Sequence, residues 1–128
     1  MSTTPPPDQP DTCVDNIPGV NTRYGLAQML GNKKSYLGML GRLINEHGND
    51  ANQIRAQLSG GERVAACRLA HSLKGCSGML GAEALSVAAR QLEQAILQGD
   101  SPEKIEPDLD NLHRKITEIR LALGNLQP

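Results

Sequence analysis

The chain of 128 residues contains no tryptophan, no phenylalanine and only two tyrosines. Its core must therefore be built from Leu, Ile, Val and Ala. Small aliphatic side chains suit close-packed helices better than the faces of a β-sandwich. An excess of one charge is missing as well. Thirteen Lys and Arg stand against 14 Asp and Glu, a formal net charge of -1. That balance gives no general pull towards nucleic acid. No apolar run approaches the ~20 residues of a membrane span, and the first residues lack the basic and apolar regions of a secretory signal. The chain is thus expected to be cytoplasmic, with no nucleic-acid partner and no direct membrane contact. Cysteine is scarce: Cys13, Cys67 and Cys76 form an odd set without a CxxC pair, which suits reduced thiols.

What is present divides the chain in two. Pro5, Pro6, Pro7, Pro10 and Pro18 crowd residues 1–20 among Ser, Thr, Asp and Gln. Such a stretch reads as a flexible leader or linker that cannot support a core. It suits a module of a longer protein or a small protein with a loose arm. Residues 21–126 carry helical periodicity throughout. Asn21 or Thr22 caps a short helix through about Leu30, with Leu26, Met29 and Leu30 inward. A long helix is expected over 33–58, its seam Leu37, Leu40, Ile44, His47, Ala51, Ile54 and Leu58, with a bend at Gly48-Asn49. A third runs from about Glu62 to Leu80 and a fourth from about Ala82 to Gln98. The last starts at Ser101-Pro102-Glu103 and restarts at Pro107, because proline is poorly tolerated inside a helix. No strand pattern is found. The predicted fold is all-α: an up-and-down antiparallel four-helix bundle with a short additional N-terminal helix.

The stretch Ala70-His71-Ser72-Leu73-Lys74-Gly75-Cys76-Ser77-Gly78-Met79-Leu80-Gly81 organises the rest. Leu69, Leu73, Ser77 and Leu80, with Ala66, Ala70 and Cys76, form its inward stripe. His71 falls about 200° around the axis from Leu73 and should face water. Lys74, Gly75 and Gly78 share its side of the helix. Glycine in a helix costs roughly 1 kcal/mol relative to alanine, so two beside one histidine suggest a surface kept flat for a large visitor.

The chemistry follows from the imidazole. In its neutral form one ring nitrogen is a nucleophile. Attack on phosphorus gives a phosphoimidazole, which is reactive because imidazole leaves readily. Lys74, one turn on, can offset part of a phosphate charge of about -1.5 to -2, and Arg68 at i-3 can support it. No carboxylate lies at i±3 or i±4 to His71. Glu93, on the next helix, is a candidate for orienting the ring.

The run from Ala70 to Ala82, then Leu85, Ala88, Leu92, Glu93 and Ala95, resembles the histidine-containing phosphotransfer (HPt) domain of bacterial multistep phosphorelays. The resemblance covers about residues 17–124 and is strongest over 66–96. It implies that His71 is the phospho-acceptor, through Nε2. Lys74 would steady the phosphoryl group, and Gly75 and Gly78 would admit the partner. Met79 departs from the family, which often has Asn there, and this alters partner fit without removing the acceptor. The implied partners are response-regulator receiver domains and a hybrid sensor histidine kinase, of which the chain can be the C-terminal module. The implied protein has no kinase activity and binds no cofactor or metal. Mg²⁺ belongs to the receiver. A monomer is expected.

Other readings stand beside this one. Lys74 also reads as a solvated charge, and Gly75 and Gly78 as close helix packing. Cys76 reads as core filler, His47 as a packed or capping residue and His113 as surface. A protein-docking module without phosphotransfer would keep the same face. Cys67 and His71, at i and i+4, have a spacing that can bind Zn²⁺, though only two ligands are evident.

Overall fold

The computed structural model describes residues 17–126, with side chains through Gly124. Every regular element is a helix: α1 (Thr22–Gln28), α2 (Lys33–His47), α3 (Asp50–Ser59), α4 (Arg63–Met79), α5 (Glu83–Leu97) and α6 (Pro102–Leu126). Polar side chains start two of them. Oδ1 of Asn21 accepts from the Tyr24 amide and Oδ1 of Asn32 from the Ser35 amide, each at 3.0 Å. Such caps satisfy amides that the first turn leaves unpaired.

α4, α5 and α6 pack in sequence, and α3 closes the ring against both α4 and α6. α2 lies against α6 and α4 beyond α3. The bundle is thus four-sided, with α2 and α3 together forming one side. The continuous helix expected over 33–58 is broken at Gly48 and Asn49. Asp50, at the start of α3, is buried, and its Oδ2 lies 2.6 Å from Nδ1 of His47. That pair holds the two segments together across the break. His47 accordingly packs, as one of its readings had it.

The core is the expected aliphatic set. Leu40, Ile44, Ile54, Leu73, Leu85, Leu92, Leu109, Leu112, Ile116 and Ile119 are all buried. Four expectations need correction. Leu30 is 96% exposed with φ +55°, because α1 ends at Gln28 and Leu30 lies in the turn that follows. Cys76 is exposed rather than core filler. Ser77 takes that place, its hydroxyl donating to the Leu73 carbonyl at 2.6 Å. α6 runs through Pro107 without restarting. Pro107 and Glu103 are both exposed, so water can meet the Glu103 carbonyl that the proline leaves unpaired, while Ile105 and Leu109 anchor the helix on either side. Finally, packing begins before residue 21: Ile17 is buried and Val20 lies against the core. Residues 1–16 of the expected leader, including Cys13, lie outside the described residues.

α1 is fastened to the far end of α4. The Asn21 amide donates to the Gly81 carbonyl at 2.6 Å, and the Tyr36 hydroxyl donates to the Leu80 carbonyl at 2.7 Å. Gly81 has φ +78° and Gly25 lies flat against the Leu80 carbonyl and the Tyr36 ring. A side chain at either glycine would collide with backbone.

Candidate functional site

His71 stands midway along α4, and its side chain is 67% exposed. The faces of two helices set its surroundings. Ala66, Ala70, Leu73 and Ser77 turn one face of α4 inward, which leaves His71 outside. On α5, Ala88, Ala89 and Leu92 meet that face. Small side chains at a helix contact shorten the distance between axes. Glu93 is thereby brought beside His71, although 22 residues separate them in sequence.

The Glu93 carboxylate is bidentate in function. Its Oε2 lies 2.8 Å from Nδ1 of His71, and its Oε1 accepts from Nζ of Lys74 at 2.9 Å. Glu93 is only 13% exposed, so its ionised form depends on these partners. The Lys74 ammonium holds its carboxyl below the usual carboxylate range, and His71 adds to this against the opposing effect of burial. An ionised carboxylate only accepts. The proton of that contact therefore sits on Nδ1, and the lone pair of the neutral ring sits on Nε2.

The other expected residues divide. Gly75 is exposed with open space where a Cβ would stand, so nothing among the described residues requires a glycine there. Gly78 is half-buried, and a Cβ would lie 3.4 Å from the Ser86 hydroxyl. That hydroxyl donates to the Lys74 carbonyl at 3.0 Å, so Gly78 lies at the α4–α5 contact but no clash requires a glycine there. Met79 is exposed. Arg68 is exposed and forms no ion pair among the described residues. His113 is exposed.

A groove of about 430 Å³ opens beside His71 towards the start of α4, between α4 and α5. Val64, Ile96 and Leu97 give it apolar walls, and Arg63 and Arg68 a cationic margin. Val64 and Leu97 are exposed, and sequence reasoning named neither as part of a site. Arg63 donates to the carbonyls of Ile96 and Asp100 at 2.9 Å each and so ties the start of α4 to the end of α5. Cys67 also lines the groove; burial pushes its thiol up, with the Glu93 charge adding to the effect. Among the described residues, no group of three or more His, Cys, Asp and Glu side chains is placed to hold a metal ion.

Comparison with protein families matches residues 38–127 to the Hpt domain. The chain belongs to this family. Hpt domains are phosphocarriers of histidine phosphotransfer in phosphorelays, and they interact with the receiver domains of response regulators. The match begins inside α2 and spans α3 to α6, including the whole α4–α5 pair that builds the site. No curated protein and no solved structure matches the chain. Among the described residues, no helix is long and apolar enough to cross a membrane.

Proposed function

We propose that this Hpt domain carries a phosphoryl group on Nε2 of His71, taken from a receiver-domain aspartyl phosphate and passed to the aspartate of another receiver. The observation that supports this most is the contact of Glu93 with Nδ1, which leaves the outward nitrogen as the nucleophile.

The step balances simply. The Nε2 lone pair forms a bond to phosphorus as the bond from phosphorus to the receiver's carboxylate oxygen breaks. The carboxylate leaves with that electron pair. The ring keeps its Nδ1 proton and takes up positive charge. Oε2 of Glu93 stands 2.8 Å from Nδ1, accepts that proton's hydrogen bond and stabilises the charge as it develops. Transfer onward reverses the step. Lys74 acts first by holding Glu93, and its ammonium also offsets the phosphoryl charge nearby. Open space at Gly75 admits the receiver, and the apolar groove beside His71 gives it a place to rest. Mg²⁺ belongs to the receiver, and the chain contributes no cofactor to the step. Receiver domains of response regulators and of a hybrid sensor kinase are the partners, the setting is the cytoplasm, and the domain works as a monomer.

The test is incubation of the full chain with a receiver carrying labelled phosphate. Label that is acid-labile and base-stable should appear on the wild type and be absent from His71→Gln. Label that persists on His71→Gln would remove His71 as the acceptor. Receiver binding without any transfer would leave only a docking module.

A further inference from the structure

We propose that Ser86 is a positioning residue for phosphotransfer: its bond to the Lys74 carbonyl sets the register of α5 along α4 and so brings Glu93 to the His71 ring. The inference rests on the reading of His71 as a phosphoryl carrier. It adds the residue that keeps the ring's partner in place.

The contact between the two helices is smooth. Ala66 and Ala70 on α4, and Ala88 and Ala89 on α5, are all buried. Methyl groups make shallow ridges, and apolar contact has no direction of its own. Such faces hold two helices close without fixing how far one slides along the other. Directed bonds fix that. Arg63 supplies them near the end of α5, through the carbonyls of Ile96 and Asp100. Its side chain is long and turns about several bonds. Ser86 supplies another, about two turns before Glu93. Its hydroxyl donates to the Lys74 carbonyl at 3.0 Å. A single methylene separates that hydroxyl from its own backbone, so the bond joins the backbones of α5 and α4 with little slack.

The bond also falls on a particular residue. Lys74 is held by α5 twice, its carbonyl by Ser86 and its Nζ by Oε1 of Glu93 at 2.9 Å. Ser86 and Glu93 share a face of α5, offset by about 20° around the axis. The other oxygen of Glu93 lies 2.8 Å from Nδ1 of His71. Ser86, Lys74 and Glu93 thus close one loop across the helix contact, and the imidazole is fastened to it. A slide of α5 by one residue's rise, about 1.5 Å, would misalign both contacts of Glu93. The Ser77 hydroxyl lies 3.2 Å from the same carbonyl, but its shorter bond, 2.6 Å, goes to the Leu73 carbonyl. Both of its partners belong to α4, so Ser77 ties that helix to itself and serves as the comparison.

The full chain, labelled with ¹⁵N in its histidines, reports the ring nitrogens directly by NMR. With the ring neutral, the wild type should carry the proton on Nδ1 of His71. In Ser86→Ala the form protonated on Nε2 should gain population, and in Ser77→Ala it should not. Alanine favours a helix more than serine does, so Ser86→Ala should stay folded. Transfer from a labelled receiver should slow about tenfold in Ser86→Ala, as expected for a small misplacement of a positioned group. Adding Ser86→Ala to Glu93→Ala should slow transfer no further, because the group being positioned is then gone. Unaltered proton placement in Ser86→Ala, an equal disturbance in Ser77→Ala, or the same slowing repeated on the Glu93→Ala background would each overturn the role of Ser86. If the wild type itself accepts no phosphate, the carrier reading fails, and the ring spectra alone still decide whether Ser86 positions Glu93.

Discussion

Nδ1 of His71 and Oε2 of Glu93 meet at 2.8 Å across the contact between α4 and α5. Nothing in the local sequence around His71 supplies that partner. The first consequence is kinetic. Glu93→Ala frees the ring to turn and to protonate either nitrogen. Phosphotransfer from a receiver should slow by about 10- to 100-fold, by analogy with the loss of one preorganised partner elsewhere, while His71 remains the labelled residue. Rapid-quench measurement of label transfer checks this. An unchanged rate would show that the ring needs no orientation.

The same carboxylate gives a pH signature in stability. Its proton affinity is lowered in the folded chain, chiefly by Lys74 and then by His71. The stabilisation is therefore full above the ordinary carboxylate range and is lost as pH falls through the lowered folded value. Denaturation of wild type and Glu93→Gln should show a gap at neutral pH that closes in acid. A gap that widens in acid would reverse the sign assigned here.

Asp50 should behave in the opposite sense. Burial raises its proton affinity despite the His47 contact. The folded chain holds this proton more tightly than the unfolded chain, so ionising Asp50 weakens the fold as pH rises from the ordinary carboxylate range towards the raised value. Replacing His47 with Leu leaves the carboxylate buried without its partner and should cost about 3 kcal/mol at neutral pH. Adding Asp50→Asn to that variant should recover much of the loss. Urea titrations of the single and double variants measure both effects.

Gly75 separates folding from docking. A Cβ there meets nothing among the described residues, so Gly75→Ala should raise stability by roughly 0.5–1 kcal/mol. The same change crowds the approach to His71 and should slow transfer from a receiver. Gly124→Ala, on an exposed part of α6 with equally open space, should leave transfer untouched. Thermal unfolding and label transfer on the same samples compare the two.

Helical class and most of the core were legible because aliphatic side chains repeat at helical spacing along α5 and α6. Leu85, Ala88, Ala89, Leu92, Ala95 and Ile96 keep that spacing along α5, and all are buried. His71 was legible as exposed for the same geometric reason. Turns and edges were less so. Cys76 and Ser77 are neighbours on one helix and the spacing puts both inward; only Ser77 is buried, its hydroxyl bonded to its own backbone, and hydropathy alone does not show that the cysteine stays outside. The bend expected at Gly48-Asn49 is a full break, and the contact of buried Asp50 with His47 across it is a tertiary event that the seam from Leu37 to Leu58 does not reveal. Glu93 was visible only as a candidate on the next helix. Its two contacts follow from how closely the alanine faces of α4 and α5 approach.

Both ends of α4 are moored. Arg63 clasps the exit of α5, and at the other end the Leu80 and Gly81 carbonyls are gripped by Tyr36 and Asn21. The imidazole thus rides on a beam clamped at either extremity, a stationary target. On the proposed function, any fitting together falls to the visitor, and one such fixed landing place would serve several different receivers in turn.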